Sequence, residues 1–231
     1  MAVEKPIVVT RGAGQSDCMT SAQGNSTTAA QEDAVIVIDD FLADPLAVRQ
    51  LALDAEYPNL GTPQTYPGRY SKRTYPLPGL DDAIAEITGS RVVPQKGTSH
   101  GGFRVCLADE MGTGHVHIDN SHWTGVLYLT LDEHAHGGTD FFRHRPTGTL
   151  RAPVYPEDWA AWGKITPQTI HREVILPHTN DASQWDLVRH VPMKFNRLVL
   201  FQPWLWHAAG PGFGDSVANA RVIYLMSYNE V

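Results

Sequence analysis

The sequence has 231 residues, of which 42% are hydrophobic and 19% are charged, and its formal net charge is −7. This composition excludes a chain that is disordered throughout, and the length suits one domain of ordinary size. The acidic balance argues against a protein that binds nucleic acid through a broad basic face. The 2 cysteines offer no disulfide framework, and no apolar run has the length of a secretory signal or a membrane span. We therefore predict a cytoplasmic protein whose partners include neither a nucleic acid nor a membrane.

The first segment in chain order is a predicted flexible leader at residues 1–33. Its larger part, residues 11–33, is rich in Gly, Ser, Thr, Ala and Gln and poor in large apolar side chains, a composition that favours disorder. We assign residues 34–231 to a single domain. This domain opens with the continuous apolar run Ala34–Ile38, which has the length of a buried strand.

Two helices are predicted after this strand. Asp44 and Pro45 supply an N-cap and a proline in the first turn, and apolar residues continue the first helix to about Ala55. The second helix is predicted over residues 80–87, where apolar side chains share one face and Gly89 follows as a terminator.

Short strands dominate the rest of the chain. Apolar and alternating runs bounded by turn residues predict eight strands, at 102–108, 114–119, 124–131, 138–142, 170–176, 196–202, 205–209 and 220–228. An insertion at about 145–168 interrupts them and contains a predicted short helix at 156–163. This pattern predicts a mainly β (α+β) fold, a jelly roll or a β-sandwich, with the N-terminal helices packed on it.

The segment His115-Val-His117-Ile-Asp119 contains three potential metal ligands at alternate positions. On an extended backbone these side chains point to the same side. A histidine two residues before an acid is a weak motif alone, because about one such pair is expected by chance in this composition. His207 and Arg221 follow in later predicted strands, and this order strengthens the motif. We interpret His115 as a structural residue, since a histidine near the start of a strand is more often a hydrogen-bonded surface or core residue than a ligand.

With these residues in this order, the sequence resembles the iron(II)- and 2-oxoglutarate-dependent dioxygenases, in the branch that includes the prolyl hydroxylases. The resemblance spans about residues 102–228, and the stretch 37–42 resembles the opening strand of such domains. The segments 192–201 and 207–214 are more closely similar to a bacterial family of unknown function. The resemblance implies a double-stranded β-helix, which is a jelly roll.

The resemblance also implies the cofactors and the residues that hold them. His117, Asp119 and His207 would be the catalytic iron(II) ligands, because two imidazoles and one carboxylate on one face leave three positions open. The co-substrate 2-oxoglutarate would bind through Arg221, with Tyr128 as a further donor; Arg104 and Arg143 are the next candidate cations. The implied activity consumes dioxygen and couples decarboxylation of 2-oxoglutarate to hydroxylation, or a related oxidation, of a small molecule, an amino acid or a peptide.

Two segments are candidates for substrate recognition. The stretch 57–75 is rich in tyrosine and carries three basic residues and no acid, so Arg69 and Tyr70 are predicted to contact an aromatic or anionic substrate. The insertion, with the predicted strand near 170–176, is a candidate lid that would exclude water over the iron, and its Trp159 and Trp162 are predicted to face the substrate. The alternatives are a solvated loop for the first segment and core packing for the tryptophans.

Two other functions remain open on the sequence alone. A non-catalytic, cupin-like module that binds a metal or a sugar would need the histidines but not Arg221. In a protein-interaction domain, the histidines and Asp119 would be structural. The primary substrate, the type of oxidation and the oligomeric state cannot be predicted from these residues.

Overall fold

The architecture rests on two antiparallel β-sheets, seen in a computed structural model that describes residues 15–18, 34–59, 61, 64–154, 158, 162–163 and 166–231. Within those residues, the larger sheet has eight strands: β1 (Gln15–Cys18), β2 (Ala34–Ile38), β3 (Arg69–Tyr70), β4 (Val92–Pro94), β5 (Phe103–Cys106), β6 (Trp123–Tyr128), β9 (Leu198–Phe201) and β11 (Arg221–Glu230). The smaller sheet has three: β7 (Gly138–His144), β8 (Trp185–Pro192) and β10 (His207–Ala209). The predicted mainly β fold is confirmed at this level.

The strands do not pair in chain order. The larger sheet runs β1-β2-β9-β6-β11-β5-β3, with β4 paired to the far end of the long strand β11, and the smaller sheet runs β10-β7-β8. Strands from the C-terminal third therefore lie between strands from the first half of the described chain, and this arrangement brings sequence-distant residues together.

Helices cover one face of the larger sheet. The helix α1 (Pro45–Leu53) begins where Oδ1 of Asp44 accepts a hydrogen bond from the Ala47 amide at 3.1 Å. The helix α2 (Leu80–Thr88) ends at Gly89, whose φ of +68° suits glycine. Both predicted helices are confirmed within a few residues.

The core divides into layers because side chains alternate along the central strands. In β9, Leu198 and Leu200 pack with α1 and α2, whereas Val199 and Phe201 belong to the cluster shared with the smaller sheet. The two sheets therefore pack face to face, with the N-terminal helices on the outside of the larger one.

The predicted strand at 170–176 is wrong. The segment is helical: the α-helix α3 (Pro167–Ile170) continues into a π-helix (His171–Ile175) and a final turn, α4 (Leu176–His178). Ile170 and Val174 are buried against the outer face of the smaller sheet. Their spacing of four residues is that of a helix face, and it outweighs the β-propensity of the isoleucines and the valine.

The predicted strand at 114–119 is also wrong, because this segment is a loop. Its backbone groups bond to several separate segments: the Gly114 amide to Thr65, the Val116 amide to Thr179 and the Asp119 amide to Pro203. His117 alone forms a β-bridge, with His207. The segment is thus extended enough to alternate its side chains without belonging to a sheet.

Other differences concern strands that the sequence does not predict and predicted segments that lie partly outside the described residues. The strands β3, β4 and β8 were not predicted. Residues 15–18 pair with β2 although they lie inside the predicted leader, and the rest of that leader lies outside the described residues. Most of the predicted helix at 156–163 also lies outside them. No helix of the described part of the chain is long and apolar enough to span a membrane.

Candidate metal centre

The backbone fixes the positions of the two predicted histidine ligands relative to each other. The His117 amide donates to the His207 carbonyl at 2.9 Å, and the His207 amide donates to the His117 carbonyl at 3.0 Å. The Asp119 amide donates to the carbonyl of Pro203, in the turn that leads toward β10. The loop that carries His117 and Asp119 is therefore tied to the segment that carries His207.

The side chains of these three residues converge. Nε2 of His117 lies 3.7 Å from Oδ1 of Asp119, and Nε2 of His207 lies 3.5 Å from Oδ2 of the same carboxylate. All three ligand atoms lie within 4.8 Å of one another, and this is the one such cluster found among the described residues. Two nitrogens and one oxygen at these separations can share one metal ion as a facial triad.

The other ring nitrogens of both histidines are already engaged. Nδ1 of His117 lies 2.7 Å from the His115 carbonyl, and Nδ1 of His207 lies 2.8 Å from the Leu205 carbonyl. A carbonyl only accepts, so each Nδ1 carries the proton, and in neutral rings each Nε2 presents a lone pair to the Asp119 carboxylate. A cation between these three acceptors would offset their mutual repulsion. A divalent metal with nitrogen and oxygen preference, iron(II) included, fits this donor set.

Electrostatics keep His117 and Asp119 in the forms that bind metal. Burial lowers the pKa of His117 to about 3, assisted by the neighbouring His207. Burial alone would raise the pKa of Asp119, but its interactions with His207 and His117 and the hydrogen bond from Thr124 hold it well below its usual range. Thr124 Oγ1 donates to Oδ2 of Asp119 at 3.0 Å and orients the carboxylate.

The triad opens into a cavity of about 490 Å³ between the two sheets and the loops around them. Arg104 and Arg221 line this cavity together with the triad, and so do Tyr66 and Tyr70. Among its described lining residues, Asp119 is the only carboxylate. The volume suits small-molecule ligands.

Arg221, the predicted co-substrate anchor, is buried at the start of β11 with 2% of its surface exposed. Its one hydrogen bond is a long one, from Nη2 to the Gly138 carbonyl at 3.4 Å, and Nε has no hydrogen-bond partner in the described part of the chain. No described acid forms an ion pair with it. A buried guanidinium without a counter-ion is costly, so its position in the cavity wall points to an anionic ligand.

Tyr128 lies beside Arg221 but is not in the cavity wall. The guanidinium carbon stands 6.0 Å from the ring centroid, and the hydroxyl is 2.7 Å from Oγ1 of Thr139, which does line the cavity. The structure thus places Tyr128 behind Arg221, where its ring packs on the cation. Arg143, a predicted alternative anchor, is not among the lining residues, whereas Arg104 is.

Of the residues predicted to contact substrate, some line the cavity and others do not. Tyr70 lines the cavity, but Arg69 does not; its Nε is 2.5 Å from Oε1 of Glu110. Trp162 packs against the buried cluster around Trp206, and Trp159 lies outside the described residues. The side chain of His115 is exposed at the cavity rim and its carbonyl supports His117.

Two residues of the site were not predicted from the sequence. The ring of Tyr66 packs on His117 at a tilt of 38°, with centroids 4.2 Å apart, and the Thr124 hydroxyl donates a hydrogen bond to Asp119. Thr124 follows Asp119 by five positions, but only the turn between them brings the hydroxyl back to the carboxylate. The tyrosines of the 57–75 stretch were a usable signal, although nothing in their spacing singles out Tyr66.

A family model matches the part of the chain that carries the three candidate ligands. Residues 102–210 match the model of a family described as a family of unknown function (DUF6445). The match includes the entire His117, Asp119 and His207 cluster and stops before Arg221. No curated protein matches the chain. The family carries no stated activity, so the chemistry has to be argued from the site.

Proposed function

We propose that this protein is an iron(II)- and 2-oxoglutarate-dependent oxygenase built on a double-stranded β-helix. The observation that carries the proposal is the meeting of two features in one cavity: the His117, Asp119 and His207 cluster, and the buried Arg221, which has no acidic partner among the described residues. A metal-binding module without a co-substrate has no need for the second feature. The facing antiparallel sheets, with the triad at the edge of the cavity between them, support this fold.

The proposed division of labour follows from the positions of the side chains. His117, Asp119 and His207 would hold the metal on one face, and the Nδ1 hydrogen bonds would keep the rings oriented. Arg221 would pair with the far carboxylate of 2-oxoglutarate through two parallel hydrogen bonds. Iron(II) and 2-oxoglutarate, when bound, would supply the oxidising chemistry with dioxygen.

Aromatic packing around the metal ligands would limit water at the site. The ring of Phe201 contacts His207 with centroids 4.7 Å apart, and Phe141 packs on Phe201 at 5.2 Å. Tyr66 covers the other ligand, His117. These rings leave the ligand lone pairs directed at the cavity and exclude solvent from the far side, which strengthens charge interactions inside.

Calorimetric binding of 2-oxoglutarate under anaerobic conditions tests the proposal. We expect one molecule per chain, and binding at least about tenfold tighter with iron(II) than without metal, because the two ligands share a site. Glutarate is the matched control, since it has both carboxylates but no keto oxygen and should show little dependence on iron. An affinity for 2-oxoglutarate that is the same with and without metal would contradict the proposal.

A further inference from the structure

The same cavity contains a second buried arginine that the proposed chemistry does not use. Arg104 lies on β5, opposite Ile223 of β11, and 7% of its surface is exposed. Its Nη2 donates to the Pro67 carbonyl, whereas Nε has no hydrogen-bond partner in the described regions. In the same strand, Phe103 and Val105 point into the core beneath the helices. The alternation of β5 therefore directs Arg104 to the opposite face, where the cavity lies.

Aromatic rings hold this guanidinium in place without neutralising it. Its central carbon lies 5.8 Å from the Tyr66 centroid and 5.2 Å from the Tyr70 centroid, within the range of cation–π attraction. Tyr66 also packs on His117. One ring thus contacts both the arginine and a predicted ligand of the candidate metal centre, and all three residues line the same cavity.

Neither of the two buried arginines of the cavity has an acidic partner among the described residues. Burial lowers the pKa of Arg221, and the positive charge of Arg104 lowers it further. No described acid pairs with either, while Arg69 nearby is neutralised by Glu110. Asp119, the only carboxylate of the described cavity lining, belongs to the metal centre. The cavity therefore presents two buried guanidinium groups to anions, besides the exposed Lys96 in its lining, and the proposed function assigns 2-oxoglutarate to Arg221 alone.

We propose that Arg104 binds a carboxylate of the primary substrate, so that the substrate is a small carboxylic acid, amino acids included. This inference rests on the proposed function, because it assumes that 2-oxoglutarate occupies part of the cavity and that the substrate occupies the rest. A planar carboxylate matches the fork of a guanidinium held by stacking. A cavity of about 490 Å³ that also takes 2-oxoglutarate leaves room for a second ligand of similar size.

A binding screen with paired probes tests this assignment without relying on turnover. The probes are the common L-amino acids and the linear C3 to C6 carboxylic acids, each paired with its primary amide. Binding is measured by ligand-observed NMR on anaerobic protein, first without cofactors and then with iron(II) and 2-oxoglutarate. We expect at least one acid to bind, and its amide to bind at least about 30-fold more weakly, as for a broken buried charge pair.

Variants of Arg104 assign the effect to this residue. Arg104→Gln should weaken the selected acid at least about 30-fold and leave iron stoichiometry and 2-oxoglutarate affinity unchanged. Arg104→Lys keeps the charge, so it should retain the preference for acid over amide even if Arg104→Gln does not fold. Equal binding of every acid and its amide, or an acid preference that survives Arg104→Gln, would overturn the proposal.

Two further outcomes separate this inference from the proposed function. If Arg104→Gln weakens 2-oxoglutarate instead of the acid, Arg104 is the co-substrate anchor, which overturns the substrate assignment and keeps the oxygenase. If wild type binds an acid through Arg104 but shows no iron-dependent binding of 2-oxoglutarate, the oxygenase fails and the carboxylate site stands.

Discussion

His117 and His207 exchange two backbone hydrogen bonds, and their rings lie 4.3 Å apart between centroids. The two imidazoles are thus placed side by side by the chain itself, before any ion binds. Asp119 lies two residues after His117 in an extended segment, so its side chain points to the same side as that of His117. Such preorganisation lowers the cost of assembling a metal site and predicts that the apo-protein keeps its fold.

The first prediction concerns the three ligands. His117→Ala, Asp119→Ala and His207→Ala should each lower iron(II) affinity by more than about 100-fold, because even outer-shell changes cost 10 to 100-fold. Circular dichroism should report a folded protein in each case. Anaerobic equilibrium dialysis measures the bound iron, and His115→Ala is the control because its side chain is exposed. If all three variants bind one iron per chain, these residues are not the iron ligands.

A second prediction concerns the residue that orients Asp119. Thr124→Val removes the hydroxyl that donates to the carboxylate and keeps the side-chain shape, so iron affinity should fall about 10 to 100-fold. Thr130→Val is the matched control: its hydroxyl bonds the Ala220 carbonyl and the Val222 amide away from the triad. The control should lower the free energy of unfolding but not iron affinity. Equal iron affinity in Thr124→Val and wild type would show that the hydroxyl has no part in the site.

The sequence predicts the parts of the fold in which local pattern and tertiary packing agree. Asp44 caps α1 and Gly89 ends α2 as their residue types favour. The segment 170–176 has the β-branched residues of a strand, but Ile170 and Val174 are four residues apart, as on a helix face, and the segment is helical. The pairing of β9 between β2 and β6 could not be predicted, since it depends on contacts across most of the chain.

The third prediction addresses the proposed anchor of 2-oxoglutarate. Arg221→Gln should weaken 2-oxoglutarate by roughly 2 to 5 kcal/mol, because the variant leaves a carboxylate without its buried partner. Iron binding should not change. Arg69→Gln is the matched control, because this arginine is paired with Glu110 and lies outside the cavity wall. Calorimetry on the iron-loaded variants measures both affinities. If the loss occurs in Arg69→Gln and not in Arg221→Gln, the anchor has been assigned to the wrong residue.

A fourth prediction concerns pH and stability. Burial, with the nearby His178, lowers the pKa of His144 from 6.5 to about 4. The unfolded chain therefore binds more protons between these values, so the free energy of unfolding should fall as the pH drops from about 6.5 to about 4, by roughly 3 kcal/mol in total. Urea unfolding across this range measures the slope.

The matched variants for this prediction are His144→Gln and His171→Gln. His144→Gln should reduce the slope, whereas His171→Gln replaces an exposed histidine and should leave it as in wild type. A slope that is the same in His144→Gln and wild type would assign the pH dependence to other groups.

The candidate site can be predicted only in part, because some of its residues meet through long-range strand pairing. His117, Asp119, His207 and Arg221 follow a recognisable order along the chain, so the sequence suffices to nominate them. Arg104 and Tyr66 come from different segments, and only the pairing of β5 with β11 and the fold of the 64–68 loop bring them to the cavity. The sequence also predicts Arg69 as a substrate contact, but its guanidinium is paired with Glu110.

Anaerobic visible absorption of the protein with iron(II) and 2-oxoglutarate shows whether the metal and the keto acid bind at one site. Keto-acid chelation of iron in the site predicts a new charge-transfer band that requires both additions and saturates at one iron per chain. The band should be absent in His207→Ala, and in Arg221→Gln it should need at least about 30-fold more 2-oxoglutarate. A wild-type spectrum that stays the same when 2-oxoglutarate is added to the iron-loaded protein would contradict the account.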